Sequence, residues 1–171
     1  SPVPATAPPA APSARPSATL AVDVVREEAV VLDVVDGDTI KVEVDGQVYT
    51  VRYIGVDAPE TNHPTKAVEL WGKEASLKNR ELVEGQVVFL ERDVSETDRY
   101  GRLLRYVYVD DVMVNAELVR LGYARASSYP PDVKHQQLLT RMEEDARDAG
   151  RGLWSDEAPT TAETAPAAAP Q

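Results

Sequence analysis

Three short segments of this sequence combine carboxylates with arginines at close spacing. They are Asp36-Gly37-Asp38-Thr39, Asp57-Ala58-Pro59-Glu60 and Tyr100-Gly101-Arg102, and Arg52 lies between the first two. A hard cation such as Ca²⁺ binds carboxylate and carbonyl oxygens. A planar guanidinium can hold two phosphate oxygens, and a further carboxylate can activate water as a general base. These residue types are the ones that metal-assisted hydrolysis of a phosphodiester needs.

Each segment also has a simpler interpretation when it is taken alone. Asp36 and Asp38 suit a tight turn, because aspartate side chains readily bond backbone amides in Asx-turns. Glu60 fits an ordinary solvent-exposed loop. The chemical interpretation rests on convergence, since the apolar run 53–56 delivers Asp57 at a strand end beside the predicted strand of Asp38. Carboxylates that converge in this way repel one another unless a cation compensates them.

Arg52 raises a geometric question. In a regular strand the side chains alternate between two faces, so Arg52 is expected on the face of Ile54 and Val56, opposite Asp57. A twist or a bulge is needed to bring Arg52 and Asp57 to one site. An undistorted strand therefore argues against a shared role for the two residues.

The elements that position these residues begin with strands. Val, Ile, Tyr and Thr alternate with polar residues between Ala29 and Val56, and we place strands near 29–35, 38–45 and 47–55. Asp45-Gly46 predicts a two-residue hairpin, and Asp36-Gly37 marks the turn before it. Two more strands are predicted at 86–92 and 103–110.

Helical spacing predicts three helices. The first runs over 66–83 and is ended by Gly85, and the second is short and capped by Asn115. The third runs from about Asp132 to Ala149, after which Leu153 and Trp154 dock on the core. This order of elements predicts an α+β, mainly β single domain: a five-stranded OB-type Greek-key barrel of antiparallel strands, with three helices.

Composition separates this domain from two biased ends. Ala, Pro, Ser and Thr dominate residues 1–21 and 158–171, so we predict disordered tails around a domain at 22–157. The chain has no Cys, which excludes disulfides and thiol chemistry, and no apolar stretch has the length of a membrane helix. A Pro/Ala-rich tether often follows a removed signal or anchor. We therefore expect a secreted or cell-surface protein whose signal or anchor segment is absent from this chain.

The net charge of −11 opposes nucleic-acid binding at long range, because phosphate binding normally draws on a basic surface. A bound metal and local arginines can offset that field at short range. If the substrate is a nucleic acid, its binding is expected to depend steeply on salt and metal.

The motifs, taken in order, resemble those of the staphylococcal nuclease (thermonuclease) family. The resemblance covers about residues 29–155. A DGDT sequence alone also occurs in simple turns, but the ordered set at matching separations is specific. The matching segments are Val35-Asp36-Gly37-Asp38-Thr39, Arg52, Val56-Asp57-Ala58-Pro59-Glu60-Thr61, Asp98-Arg99-Tyr100-Gly101-Arg102, Met113-Val114-Asn115, Leu118-Val119-Arg120 and Gly152-Leu153-Trp154.

The resemblance implies a Ca²⁺ site. By it, Asp38 and Asp57 are direct ligands, the backbone carbonyl of Ala58 is a third, and Asp36 acts nearby through water. Ala58 stands where the founding member of the family has threonine. Because the metal contact is a backbone carbonyl, the ligand is preserved, whereas a hydroxyl near Glu60 is lost.

The resemblance also implies the chemical roles. Glu60 is the general base or the residue that orients the attacking water, and Arg52 and Arg102 grip the phosphate and stabilise its developing charge. The family is Ca²⁺-dependent and monomeric, and it cleaves DNA and RNA endo- and exonucleolytically to 3′-phosphorylated products. Arg99 and Tyr100 are implied to line the nucleotide subsite. In the loop between the last two helices, Tyr129 is the only tyrosine that could stack on a base.

Two other function classes are compatible with a barrel of this kind. One is a nucleic-acid or protein binding module whose catalytic residues have decayed, but here every charged position of the family set is present. The other is a single-strand binder that uses aromatic platforms, which the one Phe and the acidic charge disfavour. His63 and His135 have no partner at metal-ligand spacing and are expected to be surface or capping residues.

Overall fold

Five strands form a closed barrel in the structure, a computed structural model that describes residues 25–60 and 71–155. Neighbouring strands follow the order β3-β2-β1-β5-β6, and β3 also pairs with β6 to close the ring. The barrel strands are β1 (Arg26–Asp36), β2 (Thr39–Val44), β3 (Gln47–Tyr53), β5 (Val87–Glu91) and β6 (Leu103–Val109), and three two-residue strands are β4 (Val56–Asp57), β7 (Val112–Met113) and β8 (Arg125–Ala126). The predicted mainly β barrel of the OB type with three helices is confirmed.

The pair that closes the barrel is parallel, whereas all five strands were expected to be antiparallel. The other four barrel pairs, β1–β2, β2–β3, β1–β5 and β5–β6, are antiparallel. A ring with an odd number of strands cannot alternate direction all the way round, so one pair must be parallel. The parallel pair here joins Val51 to Leu103 and Arg52 to Leu104.

Two tight turns orient the first three strands. Asp45 and Gly46 have φ values of 50° and 82°, the positive values that a two-residue hairpin turn requires, so the predicted hairpin is confirmed. In the first turn Asp36 pairs with Thr39, so its central residues are Gly37 and Asp38, one residue later than predicted. A Cβ on Gly37 would lie 2.8 Å from the Cβ atoms of Ala58 and Ala75, so only glycine fits there.

In the part of the chain that the structure describes, three helices and a final 3₁₀ turn cover the barrel. They are α1 (Gly72–Val83), α2 (Val114–Arg120), α3 (Gln136–Ala149) and the turn Gly152–Trp154. The predicted helix start at Lys66 is wrong in that α1 begins at Gly72, because Trp71 has a left-handed φ of 74° that interrupts a right-handed helix. Residues 61–70, with His63, lie outside the described residues, as do the predicted tails. No helix of the described part is long and apolar enough to cross a membrane.

Two predicted helix starts are wrong, and the polar side chains expected there bond backbone groups elsewhere in the chain instead. Asn115 lies inside α2 and does not cap it: its buried amide accepts from the Val107 N–H and donates to the Ile54 carbonyl, both at 2.9 Å. Asp132 precedes α3 and accepts from the backbone N–H groups of Val94 and Ser95 at 3.0 and 2.7 Å.

His135 occupies the position before α3, yet its side chain does not cap the helix. Its Nε2 lies 2.7 Å from Oε1 of Glu91 on β5, and its ring packs edge-on against Tyr106. The capping alternative is therefore wrong, because a buried carboxylate binds the imidazole of this partly exposed residue.

The core lies inside the barrel and beneath the helices. Each fully buried Val, Leu or Ile side chain contributes roughly 1.5–3 kcal/mol of transfer free energy. This packing makes the barrel a rigid frame for the loops at its rim. The most deeply buried apolar side chains include Ile40, Val42, Val51, Val88, Leu90, Val107, Leu118 and Leu139.

Candidate active site

Asp38 fastens the first turn to the loop after β4. The residue is only 7% exposed. Its Oδ1 accepts from the Thr39 hydroxyl at 3.0 Å, and its Oδ2 accepts from the Ala58 N–H at 2.9 Å. Asp38, a predicted metal ligand, therefore also positions the Ala58 residue, whose carbonyl is another predicted ligand.

Arg52 reaches both predicted metal carboxylates. Its Nη2 lies 3.3 Å from Oδ2 of Asp38 and 3.5 Å from Oδ1 of Asp57. Its Nη1 donates to the carbonyls of Tyr53 and Val56, each at 2.9 Å. The guanidinium is thus held by two carbonyls and presented to two carboxylates.

A turn between β3 and β4 resolves the geometric question about Arg52. β3 ends at Tyr53, and Gly55 has a φ of 77° that reverses the chain before Asp57. Side chains alternate between two faces only within a regular strand, and this turn ends the strand. The expectation that Arg52 and Asp57 lie on opposite faces is therefore wrong. A Cβ on Gly55 would come within 2.4 Å of the Leu139 side chain, which gives a second reason for glycine.

The other predicted acidic residues of the site differ in exposure and position. The Asp57 side chain is 55% exposed and lies on β4, whereas Asp36 ends β1 and its Oδ1 accepts from the Gly37 N–H at 2.9 Å. Glu60 is exposed, at the end of the first described range. Within residues 25–60 and 71–155 no three His, Cys, Asp or Glu residues converge as a metal site. A cation at Asp38 and Asp57 therefore needs carbonyl and water ligands as well.

A buried hydrogen-bond chain supports the Asp36–Asp38 turn from α1. The Tyr53 hydroxyl donates to Oδ1 of Asn79 at 2.6 Å, and Nδ2 of Asn79 donates to the Asp36 carbonyl at 2.9 Å. Burial raises the pKa of Tyr53 well above its usual range, so the phenol stays a donor. Sequence reasoning missed Asn79, whose place in an amphipathic helix gave no sign of a polar contact.

Asp98 organises the loop that carries Arg102. Its Oδ2 accepts from Nε of Arg102 at 2.6 Å, and its Oδ1 accepts from the N–H groups of Tyr100 and Arg102 at 2.8 and 3.0 Å. Burial alone would raise the pKa of Asp98, but the hydrogen bonds from Arg102 and Tyr100 lower it below its ordinary value. The sequence held a signal for this role, since aspartate before a glycine turn often bonds the next backbone amides.

One pocket of about 330 Å³ brings the two arginines together with the predicted base-binding residues. Tyr100 is 67% exposed, and the guanidinium carbons of Arg99 and Arg102 lie 4.8 and 5.4 Å from its ring centroid. The lining does not include Asp38, Asp57 or Glu60. Arg52 lines the pocket and also contacts Asp38 and Asp57. The lining residues are Arg52, Tyr53, Ile54, Asp98, Arg99, Tyr100, Arg102, Leu104, Tyr129 and Asp132.

This arrangement can bind an anion that carries a planar group. Guanidinium groups at Arg52 and Arg102 match the oxygens of a phosphate, and the Tyr100 ring offers a stacking face. The carboxylates of Asp38 and Asp57 adjoin the same arginine and are oxygen ligands of the kind that Ca²⁺ binds. Arg52 therefore contacts two of the predicted metal carboxylates and also lines the pocket that holds the predicted substrate-binding residues.

Comparisons with known proteins agree with this chemistry. A family model described as staphylococcal nuclease homologue matches residues 50–156. A thermonuclease of Staphylococcus hyicus is 42% identical over 126 residues, covering 74% of this chain and 75% of that protein. A thermonuclease of Staphylococcus intermedius is 42% identical over 132 residues, covering 77% and 79%. The SPbeta prophage-derived endonuclease YokF of Bacillus subtilis is 43% identical over 136 residues, covering 78% of this chain and 44% of its own length.

Proposed function

Because this chain belongs to the family of staphylococcal nuclease homologues, we propose that it hydrolyses DNA and RNA with Ca²⁺ as cofactor. Cleavage is endo- and exonucleolytic and leaves 3′-phosphate products. The single observation that carries the proposal is the position of Arg52, whose guanidinium contacts two carboxylates and lines the pocket that contains Arg102.

The residues at the turn fit a Ca²⁺ ion. Oxygens of Asp38 and Asp57 lie within 3.5 Å of the same Arg52 nitrogen, and these two carboxylates would hold the ion together with carbonyl and water ligands. The Ala58 carbonyl follows a peptide N–H that Asp38 already holds, and Asp36 acts through water. When bound, Ca²⁺ supplies positive charge for a phosphate oxygen and for the water that attacks.

Glu60 serves the attacking water. It lies two residues after Ala58 and is exposed to solvent, so it can orient the water and accept its proton. The water oxygen attacks phosphorus in line, the bond to the 5′ oxygen breaks, and that oxygen leaves as a hydroxyl after taking a proton from solvent. The phosphate stays on the 3′ oxygen.

Arg52 and Arg102 stabilise the negative charge on the phosphate oxygens in the transition state. Both side chains line the pocket, and each is held by an acceptor before substrate binds: carbonyls hold Arg52 and Asp98 holds Arg102. Donors that are already oriented need little reorganisation during the reaction, which makes their electrostatic contribution large.

The rest of the pocket selects the substrate. Tyr100 and Tyr129 offer ring faces to a base, and Arg99 adds positive charge beside them. We also propose that the enzyme acts as a monomer, as the family resemblance implies, and none of these contacts needs a second copy of the chain. We also propose that it acts outside the cell or on its surface, which the Pro/Ala-rich composition of residues 1–21 favours.

Plasmid digestion tests the proposal. Supercoiled DNA should be nicked and degraded with Ca²⁺ and stay intact with EGTA. A phosphatase specific for 3′-phosphates should release phosphate from the product ends, and one specific for 5′-phosphates should not. The rival function is a binding module on the same barrel, and retarded but uncut plasmid with Ca²⁺ would favour it. No observation in the described residues favours that rival.

A further inference from the structure

Two arginines beside the proposed active site differ from most cations of this acidic chain. Neither Arg99 nor Arg125 forms an ion pair with another described residue, whereas Arg52 and Arg102 both do. Each unpaired guanidinium instead lies near an aromatic ring: Arg99 near Tyr100 in the pocket, and Arg125 near a tryptophan outside it. Arg99 belongs to the nucleotide subsite described above. Arg125 has no role in the reaction as proposed.

Arg125 stands next to a predicted metal carboxylate. It lies on β8, directly opposite Asp57 of β4 in an antiparallel pair. Residues opposite each other in such a pair project to the same face, with Cβ atoms about 5 Å apart. Arg125 is exposed and is absent from the pocket lining, so its guanidinium marks the rim of the site on the Asp57 side.

The C-terminal turn and α3 support that guanidinium. The guanidinium carbon of Arg125 lies 5.7 Å from the Trp154 ring centroid, and that of Arg147 lies 4.3 Å from the same centroid. Glu143 binds Arg147 and also accepts from the Ala126 N–H at 2.6 Å, which ties β8 to α3. Arg147 is thereby neutralised, and the charge left for an anion is that of Arg125.

We propose that Arg125, backed by Trp154, binds a backbone phosphate of a nucleic-acid strand that flanks the phosphate being cleaved. The strand would then contact the protein on two sides of the carboxylates, at the pocket and at β8. A phosphate contact carries no base information, so the site extends the length of strand that is gripped without adding sequence preference. The chemical step rests on the proposed function, but the binding contact does not.

Binding of a labelled single strand of about twelve nucleotides in EGTA tests the contact without cleavage. The dissociation constant is measured by fluorescence anisotropy between about 20 and 200 mM NaCl. Arg125→Gln should weaken binding about fivefold at low salt and reduce the slope of log K against log salt by about 0.7, the value for one phosphate contact on a single strand. The loss should be the same for oligo(dT) and for a mixed sequence.

Two variants make the test specific. Arg141→Gln removes the same charge from an exposed position on α3 that does not line the pocket, and it should leave affinity and slope unchanged. Arg125→Lys keeps the charge and should keep most of the slope. An unchanged slope in Arg125→Gln, or an equal loss in Arg141→Gln, would overturn the proposal.

Cleavage gives a second readout. Arg125→Gln should lower kcat/KM about fivefold for the longer strand and leave it unchanged for a dinucleoside monophosphate, which has no flanking phosphate. Equal losses on both substrates contradict the flanking contact. If the wild-type chain cleaves neither substrate with Ca²⁺, the proposed function fails, while the salt slope still decides the role of Arg125.

Discussion

Two groups of carboxylates and cations in this barrel contain similar residues but differ in exposure and in the number of cations per carboxylate. In the first group Asp38 and Asp57 share one guanidinium, that of Arg52, and the Asp57 side chain is 55% exposed. In the second group Glu91 is buried and binds Lys134 and His135 at 2.7 Å and Arg26 at 3.5 Å. One group gathers carboxylates at the rim, and the other surrounds a single carboxylate with donors.

The number and kind of partners around each carboxylate indicate whether its group supports the fold or can bind ligands. Three donors saturate Glu91 and join β5 to the segment before α3, so that group supports the fold. Two carboxylates share one guanidinium, and because the Asp57 side chain is exposed, a cation and water can reach it. The predictions below separate the groups by asking which changes alter turnover and which alter stability.

Arg102→Ala and Glu60→Ala should have the largest effect. Each removes a group that acts on the reacting phosphate or water, so turnover of DNA with Ca²⁺ should fall by roughly 10²–10⁴-fold. Both residues are at least partly exposed, and the thermal midpoint should change little. Near wild-type hydrolysis in either variant would make the proposed mechanism wrong.

Glu91→Gln should give the opposite pattern. Removing the charge leaves Lys134 and His135 without their carboxylate, and the free energy of unfolding at pH 7 should drop by about 2–4 kcal/mol in urea titrations. Turnover of the folded variant should stay within a few-fold of wild type. A large loss of turnover without a loss of stability would erase the contrast between the two groups.

The pH dependence of Glu91→Gln has a defined sign. Burial raises the pKa of Glu91, but hydrogen bonds and charge from Lys134 and His135 lower it below the ordinary 4.5. A carboxyl group whose pKa is lower in the folded than in the unfolded state stabilises the fold at pH values above its unfolded-state pKa. This stabilisation is lost as the pH falls through its folded-state pKa. The stability difference between variant and wild type should therefore shrink below about pH 4.

Asp98→Asn should have an intermediate effect on turnover. The asparagine can still accept a backbone bond, but it loses the charge that holds Nε of Arg102 at 2.6 Å. We expect kcat to fall about 10- to 100-fold, as for partners that orient a functional group. Because hydrogen bonds lower the pKa of Asp98, the wild-type contact persists at neutral pH, and the deficit should be constant between about pH 6 and 9.

Ala58→Thr should have the smallest effect. The proposed metal contact is the backbone carbonyl, so the Ca²⁺ concentration for half-maximal activity should change less than about threefold. Ala58 is buried against Gly37, and the larger side chain should lower stability by about 1–3 kcal/mol. A tenfold change in Ca²⁺ requirement would indicate that the side chain at 58 takes part in the metal site.

The strands and hairpin were predictable because their signals are local. Alternating β-branched residues set β1 to β3, and Asp45-Gly46 set the turn between β2 and β3. The bend that brings Arg52 to Asp57 also had a local sign in Gly55, since an isolated glycine in a strand pattern often marks a bend or a bulge. We treated that segment as a regular strand, and the alternation argument failed there.

Other features depend on contacts between distant segments, which a single sequence does not reveal. Asn115 and Asp132 look like helix caps by type, but each bonds backbone groups of another part of the barrel. Asn79 and Glu91 likewise acquire their roles only when a helix or loop packs against a strand. The roles of Asp38, Asp57, Ala58 and Glu60 stay predictions, and the first three are supported by the contacts of Arg52 with both aspartates and of Asp38 with the Ala58 N–H.

Titration calorimetry with Ca²⁺ decides whether Asp57 belongs to the metal site and Glu91 to the fold. We expect wild type and Glu91→Gln to bind one Ca²⁺ with similar affinity, whereas Asp57→Ala binds at least about tenfold more weakly and loses turnover in parallel. Equal Ca²⁺ affinity in wild type and Asp57→Ala, or an equal loss in Glu91→Gln, would contradict this expectation.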